Sequence, residues 1–209
     1  SLRIGILKET IFQEHRVPLS PMAVQLLVQQ GHQIILESNC GDKANFPDLD
    51  YSSVGGIIAQ TLEEVYDCDM ILKVAPPTED EIDLMKNGQI LLSALHMVRT
   101  KEVIIKKLLS KNITAIGYEF LRDDEGSLPV IRSMSEIAGR ASVMIAAEYL
   151  SNYNSGKGEL FGGIPGIQPT QVVIIGAGSV GEYAARAALG LDCGLGISAF
   201  GHGVHLVKL

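Results

Sequence analysis

A run of glycines, Gly176, Gly178 and Gly181, is the pattern in this sequence that points most directly to chemistry. Four β-forming residues at 172–175 precede the run, and a helix-forming segment at 182–189 follows it. A buried strand, a glycine turn and a helix together can hold the pyrophosphate of a dinucleotide, and the glycines give room for the turn, for the phosphates and for close helix packing. The free N–H groups of the first helical turn then face the phosphates. The pattern predicts a dinucleotide-binding turn, and a plain strand–turn–helix connection is the alternative.

Two cations in the first half of the chain lie where a ligand could meet them. Lys73 lies near the end of an otherwise apolar predicted strand at residues 70–74. A lysine at the carboxyl end of a buried parallel strand points toward the crevice in which such sheets bind ligands, although it could also extend from the strand end to solvent. Arg16 lies in the loop after the first predicted strand, where a solvated arginine is the simpler interpretation.

The histidines differ in what their positions suggest. His96 follows a predicted strand at residues 89–95. It could donate or accept a proton, because imidazole titrates near neutral pH. A structural histidine with satisfied hydrogen bonds is the alternative. His202 and His205 have no third ligand at a suitable spacing, so the sequence predicts no metal site.

The elements that must position these residues alternate between strands and helices. Helix starts are indicated by Ser20 before a proline and by two capping-box patterns, in which a threonine is followed three residues later by glutamate. The predicted strands of the first part are residues 2–7, 33–37, 70–74, 89–95 and 113–118, and the predicted helices begin at Ser20, Thr61, Thr78 and Thr100. This alternation predicts an α/β fold with a Rossmann-like, doubly wound parallel sheet.

A change in composition divides the chain. The polar turn at residues 122–129 is a candidate boundary, and residues 135–150 have the apolar spacing of a long connecting helix. That helix is apolar around much of its circumference, so we expect it to be buried against another domain or another copy of the chain. The predicted domains are a substrate domain at 1–130, and a connecting helix with a partial second Rossmann, dinucleotide-binding domain at 131–209.

Composition and charge exclude several classes of protein. The net charge of −7 and the pI of about 5.2 argue against binding to nucleic acid or to an anionic membrane surface. No apolar run approaches the roughly 18 residues of a membrane span, and the first residues read as a strand with no signal-peptide pattern. The three cysteines are far apart and odd in number, which predicts buried thiols in a reducing compartment, and we expect a cytoplasmic protein.

Several motifs, spread from Leu2 to about Leu191, resemble those of one family. They are RIGILKET followed by EHRVPLSP, then ILKVAPP, LLSALHMV, IGYE, MSEIAGR, and GIPGIQP before VVIIGAG. Together they resemble the alanine dehydrogenase family, of which the transhydrogenase alpha chain is a relative. Leu7 and Gln13 depart from the pattern, since the family usually has proline and asparagine at these positions.

The resemblance implies a reaction and a cofactor. It implies NAD-dependent oxidation of L-alanine to pyruvate and ammonia by a homo-oligomer. Arg16 and Lys73 match the residues that hold the substrate carboxylate, a role that suits a guanidinium fork and an ammonium. His96 matches the histidine beside the reacting oxygen or amine.

The resemblance also implies which residues contact the cofactor. Ser135 matches a serine that contacts the cofactor, and its neighbour Met134 lies near the nicotinamide site. Gly176, Gly178 and Gly181 match the pyrophosphate loop.

The end of the sequence departs from the family. An acidic residue usually follows the glycine loop by about 20 residues and holds the adenosine ribose, but no acid follows Asp192, and Gly201 lies near the expected position. Only residues 197–200 have strand character there. We therefore expect an incomplete cofactor domain, with at most weak NAD binding and no alanine oxidation by these 209 residues alone.

Two other functions remain open. The first is a soluble, NAD-binding domain of a proton-translocating transhydrogenase, which would have no amino acid substrate. His96, together with Tyr118 and Glu119 of the IGYE motif, favours the dehydrogenase, because the relative lacks these features. The second is an inactive, truncated module that serves in assembly.

Overall fold

The computed structural model describes residues 1–199 and 202–205 and divides into two units. The first unit is Ser1–Leu121 and the second is Arg122–Leu209. Each unit has its own sheet. The assignment of substrate and cofactor roles to two domains stays a prediction.

The first unit alternates strands and helices, as the sequence predicts. Its strands are β1 (Arg3–Ile6), β2 (Gln33–Leu36), β3 (Ile57–Ile58), β4 (Met70–Leu72), β5 (Ile90–Ser93) and β6 (Thr114–Gly117). Its helices are α1 (Pro21–Gln29), α2 (Asp48–Ser53), α3 (Leu62–Tyr66), α4 (Glu79–Leu84) and α5 (Glu102–Ser110).

The six strands of this unit form one parallel sheet in the order β3-β2-β1-β4-β5-β6. The order reverses between β1 and β4, which lie side by side with Ile6 opposite Leu72. In a doubly wound sheet, ligands bind outside the carboxyl ends of the strands at such a reversal. The predicted fold class is confirmed.

Apolar side chains alternate between the two faces of this sheet and are covered on both sides. One core cluster contains Ile71 and Leu91 with residues of α3, α4 and α5, and the other contains Ile6 and Leu72 with Val24 of α1. Because both faces are covered, the strands read as continuous apolar runs in the sequence. The sheet is therefore a rigid support for residues that follow its strand ends.

The capping predictions have mixed outcomes. Ser20 caps α1, since its hydroxyl accepts from the Ala23 N–H, and Thr78 and Glu81 form the full capping box of α4. Thr61 precedes α3 but its side chain makes no such cap, and the Glu64 carboxylate accepts from the Gln60 N–H.

The start of α5 also differs from the prediction. The residue before the helix is Lys101, and the Thr100 hydroxyl donates to carbonyls of the preceding turn rather than capping the helix. Helix α2 begins within residues 40–51, a stretch rich in glycine, aspartate, asparagine and proline. Its Tyr51 is fully buried and donates a hydrogen bond to the Leu19 carbonyl.

The second unit contains two packed helices and a small sheet. Its elements are α6 (Pro129–Leu150), β7 (Gln171–Ile175), α7 (Ser179–Leu189), β8 (Gly194–Ala199) and β9 (His202–His205). β7 and β8 are parallel, and β9 adds an antiparallel third strand. The predicted strand at 197–200 is thus longer at its start, while Phe200 and Gly201 lie outside the described residues.

The long helix α6 begins six residues before the predicted start, with Pro129 in its first turn. Within the unit it buries only Gly139 and Val143, while Ile137, Met144 and Tyr149 are exposed. The predicted burial of this helix therefore does not occur within the unit, and burial by another copy stays a prediction. None of the helices in the described part of the chain is long and apolar enough to cross a membrane.

Helices α6 and α7 approach closely because Gly139 has no side chain. A Cβ at this position would lie 2.5 Å from the Val180 carbonyl oxygen and 2.9 Å from the Ala184 nitrogen, both of which are backbone atoms that cannot rotate away. Gly190, which follows α7, has ordinary helical dihedrals. A Cβ added there would be no closer than 3.4 Å to its nearest neighbour, the Arg186 carbonyl oxygen.

We predict that Gly139→Ala lowers the free energy of unfolding of the second unit by roughly 1–3 kcal/mol through overpacking, despite the better helix propensity of alanine. Gly190→Ala is the matched control and should leave it unchanged. Thermal unfolding followed by circular dichroism measures both, and equal melting temperatures would contradict the packing argument.

Candidate functional site

Lys73 and Glu9 meet where the strand order of the first sheet reverses. Lys73 directly follows β4, and Glu9 follows the adjacent β1 by three residues. The lysine ammonium lies 3.2 Å from Oε2 of Glu9 and 2.8 Å from Oε1 of Glu81. Lys73 therefore lies at the end of its strand, where it forms a buried ion cluster with Glu9 and Glu81.

Burial makes this cluster unusual. The side chains of Lys73 and Glu9 are 1% and 3% exposed, so the alternative in which Lys73 extends to solvent is wrong. Charges this far from water persist only when they are paired and hydrogen-bonded. The remaining oxygen of Glu9 accepts from the Val74 N–H at 2.6 Å and from the Ala75 N–H at 3.3 Å, which satisfies the carboxylate.

Glu81 joins the cluster to helix α4. One of its oxygens accepts from the Thr78 N–H in the capping box and the other accepts from Lys73. The sequence predicts the capping box, but the second role has no local signal. An ammonium has three N–H donors, and the two carboxylates account for two of those on Lys73.

Arg16 lies in the loop between β1 and α1. Its guanidinium donates to both oxygens of Glu14, through Nε at 2.8 Å and Nη2 at 2.6 Å. The Glu14 carboxylate raises the pKa of Arg16, and the charge of Glu9 adds to this effect. With a side chain that is 58% exposed, Arg16 lies within the electrostatic reach of the cluster but is open to water.

Two further residues follow the neighbouring strands at the same edge of the sheet. Tyr118 directly follows β6, and burial raises the pKa of its phenol, with the Glu9 charge adding to the rise. His96 lies three residues beyond β5, is exposed, and forms no side-chain hydrogen bond within residues 1–199 and 202–205. The choice between a proton-transferring and a structural His96 stays a prediction.

His96 borders a groove of about 580 Å³ in the first unit. The loops after β4 and β5 form this groove, with Pro76 and Pro77 on one side and Arg99 and Lys101 on the other. The structure thus joins Lys73 to Glu9 and brings Arg16 within reach of Glu9's charge. Convergence of Arg16, Lys73 and His96 around one small acid stays a prediction.

The glycine turn of the second unit has the geometry that a pyrophosphate requires. Gly176 has φ +120°, a conformation that other residues rarely adopt. A Cβ on Gly178 would meet no heavy atom within 4 Å, so the absence of a side chain leaves open space beside the start of α7. A Cβ on Gly181 would collide with the Gly176 carbonyl oxygen, so this glycine allows the helix to pack against the turn.

A cavity of about 500 Å³ in the second unit joins the glycine turn to Ser135. Its lining includes Ser135 of α6 together with Gly176, Gly178 and Gly181. The Ser135 hydroxyl donates to the Ile131 carbonyl at 2.8 Å, which orients it. Met134 is 38% exposed and is not among the residues that line this cavity.

The absence of a side-chain cap on α7 also suits a dinucleotide. Gly178 is the residue before the helix and has no side chain to satisfy the first N–H groups of α7. Uncapped N–H groups at a helix start favour an anion. The fold and the turn together define a Rossmann-like α/β protein whose second unit can accept a pyrophosphate.

Comparison with known proteins is consistent with this class. The family model for the N-terminal domain of alanine dehydrogenase/PNT matches residues 5–138, and the model for the C-terminal domain matches residues 142–199. The chain therefore belongs to the alanine dehydrogenase/PNT family.

The similar proteins are about twice as long as this chain. An alanine dehydrogenase of Staphylococcus saprophyticus is 43% identical over 188 residues, and one of Methanococcus maripaludis is 42% identical over 189 residues. Each alignment covers 90% of this chain and 50% of the relative. The chain spans about half the length of these relatives.

Solved structures show the same fold. An L-alanine dehydrogenase superposes with a TM-score of 0.87 at 39% identity, covering 93% of this chain and 54% of that one. A transhydrogenase from Sinorhizobium meliloti superposes with a TM-score of 0.83 at 23% identity, covering 93% and 58%. At 23% identity the second similarity concerns the fold alone.

We predict that Glu9→Ala destabilises the first unit by about 3 kcal/mol, because it leaves a buried ammonium with one partner fewer and two backbone N–H groups without an acceptor. Urea unfolding followed by circular dichroism measures this loss. Lys106→Ala, which removes the exposed ion pair with Glu102, is the control and should have no measurable effect. Equal midpoints for the two variants would contradict a structural role for the cluster.

Proposed function

We propose that the protein carrying these residues catalyses the NAD-dependent oxidative deamination of L-alanine to pyruvate and ammonia. The single observation that carries this proposal is a buried, paired Lys73 at the strand reversal of an alanine dehydrogenase/PNT-family sheet. An ammonium held there can offer its remaining N–H to the carboxylate of a small acid. The 43% identity to the S. saprophyticus enzyme supports alanine as that acid.

Arg16 and Lys73 would bind the substrate carboxylate in different ways. The Arg16 guanidinium is planar and suits two parallel hydrogen bonds to a carboxylate. It would exchange its contacts with Glu14 for contacts with the substrate. Lys73 would contribute its remaining N–H, already aimed by Glu9 and Glu81. Fixing the carboxylate in this way holds the alanine Cα for reaction.

His96 would manage the proton. As alanine is oxidised, its amine becomes an imine, which water then attacks before ammonia leaves. An imidazole close to these atoms can accept the proton of the attacking water and return it to the departing nitrogen. The exposed ring, with no hydrogen-bond partner in the described chain, supports this role.

The second unit would bind the cofactor. Bound NAD supplies the nicotinamide ring that accepts the hydride from alanine Cα. Gly176, Gly178 and Gly181 would leave room for the pyrophosphate beside the N–H groups of α7, and Ser135, on the same cavity, would contact the cofactor with Met134 nearby. We also propose that the protein works in the cytoplasm as a homo-oligomer, which the exposed apolar residues of α6 support.

A transhydrogenase domain is the second candidate, favoured by the shared fold of the S. meliloti structure. Such a domain would pass hydride between two nucleotides without an amino acid. The higher identity to alanine dehydrogenases supports the first candidate over the second. An assay for hydride exchange between NADH and an oxidised nucleotide analogue, with no amino acid added, distinguishes the two.

We predict that His96→Asn lowers alanine-dependent NADH formation about 100-fold or more, because general acid–base catalysis contributes roughly 10²–10⁴-fold. Asparagine tolerates the backbone conformation of this position and does not titrate. The assay uses the longest natural polypeptide that carries these 209 residues. His32→Asn, at the amino end of the same sheet, is the control. Normal turnover by His96→Asn would refute the assigned role.

We predict that Gly178→Ala weakens NAD binding at least tenfold without changing the melting temperature, because its methyl group would enter the open space where we place the pyrophosphate. Gly181→Ala should instead lower the melting temperature, because its methyl group collides with the Gly176 carbonyl. Calorimetric titration and thermal unfolding of the same polypeptide measure both effects. Gly190→Ala, at the other end of α7, is the control, and unaltered binding by Gly178→Ala would contradict the site.

A further inference from the structure

The turn that carries His96 is strained. His96 has φ +46°, in the left-handed region that residues with a Cβ seldom adopt. Such a conformation persists only where the surrounding structure holds it, and it frequently occurs at functional sites. The contacts that hold this residue therefore decide where its imidazole lies.

One side of the turn is closed by local hydrogen bonds. The His96 carbonyl accepts from the Arg99 N–H at 2.7 Å and from the Thr100 N–H at 3.0 Å. The Thr100 hydroxyl donates to the carbonyls of both His96 and Leu95. These bonds fix the carbonyl side of His96, but they leave its N–H and that of Leu95 to be satisfied elsewhere.

The partner of both N–H groups is Glu119, which follows the neighbouring strand β6. The His96 N–H donates to Oε1 of Glu119 at 2.6 Å. The Leu95 N–H is shared between the two oxygens, at 3.1 and 3.2 Å. The carboxylate thus binds two successive backbone N–H groups of the His96 turn across 23 and 24 residues of sequence.

The space for this carboxylate is also built into the fold. Gly117 ends β6, and a Cβ there would lie 2.9 Å from Oε2 of Glu119. Burial opposes ionisation of Glu119, but its own N–H, those of Leu95 and His96, and the charge on His96 together lower the pKa of this carboxyl below its ordinary value. The ionised form is therefore the one that the turn stabilises.

We propose that Glu119 is a positioning residue for His96: its carboxylate holds the strained turn that aims the imidazole at the substrate. We call the hydrogen bonds from the Leu95 and His96 N–H groups to Glu119 the clamp. The kinetic consequence of this inference rests on the proposed function of His96, but the clamp itself does not. Glu119 acts through the backbone of His96 and does not touch the reacting atoms. A displacement of about 1 Å at a reacting group can cost roughly 100-fold in rate.

Hydrogen exchange of the 209-residue chain tests the clamp without any reaction. In Glu119→Gln, the amide is a poorer acceptor for two N–H groups, and the Leu95 and His96 amides should exchange at least tenfold faster. The amides of Ile90–Ser93 report on the pairing of β5 with β4 and β6 and should not change. Glu125→Gln, at an exposed glutamate six residues further along the chain, is the control. Unchanged exchange at Leu95 and His96, or equal acceleration along β5, would overturn the clamp.

Kinetic measurements on the longest natural polypeptide that carries these residues test the effect of the clamp on alanine oxidation. Glu119→Gln should lower kcat for alanine oxidation about 10- to 100-fold, with KM for alanine changed less than about threefold, since Arg16 and Lys73 are intact. Gly117→Ala displaces the same carboxylate without changing charge and should reproduce the loss. If Glu119→Gln fails to fold, Gly117→Ala carries the test.

A double variant separates positioning from general damage. When His96 is already asparagine, adding Glu119→Gln should cause no further loss of kcat, because the clamp then holds nothing that reacts. Additive losses would overturn the inference. If His96→Asn alone has no effect, the proposed function fails, whereas normal kcat in Glu119→Gln with an impaired His96→Asn refutes the positioning role alone.

Discussion

The ion cluster of Lys73 with Glu9 and Glu81 is the interaction on which the arrangement at the strand ends depends. It spans the point where β1 and β4 lie side by side, and it also joins helix α4 to the sheet. A buried ammonium cannot be left without its carboxylates, so the loop after β1 and the start of α4 must keep their places. The sheet is the rigid part of the unit, and the cluster fixes the neighbouring loops to it.

The carboxylates of Glu9 and Glu119 have similar structural roles at the carboxyl ends of the strands. Glu9 fixes a charged side chain and two backbone N–H groups, and Glu119 fixes two backbone N–H groups of the His96 turn. In both cases the residue that could meet a substrate is held by an acid from the next strand. Precision at the site thus comes from contacts between adjacent loops, which helps to explain why the functional side chains can lie on loops.

The sequence predicts the elements of this fold better than their contacts. Ser20 and Thr78 carry local signals and cap their helices as expected, and the apolar runs identify the main strands. The partners of Lys73 had no such signal, since Glu9 lies 64 residues away and becomes a neighbour only when β1 and β4 pair. The residues before Tyr51 are rich in turn formers and give no sign that its side chain is buried, because that burial depends on tertiary packing.

The different exposure of the two cations has a consequence for ionic strength. At physiological salt, charges in water are screened over about 8 Å, whereas buried charges are screened much less. Arg16 is 58% exposed, and mobile ions reach it freely, but Lys73 is 1% exposed and is enclosed by its carboxylates. Added salt should therefore weaken the attraction of Arg16 for an anion while leaving the ion pairs of Lys73 almost unchanged. If Arg16 and Lys73 bind one carboxylate, as we propose, their two contributions would respond separately to ionic strength.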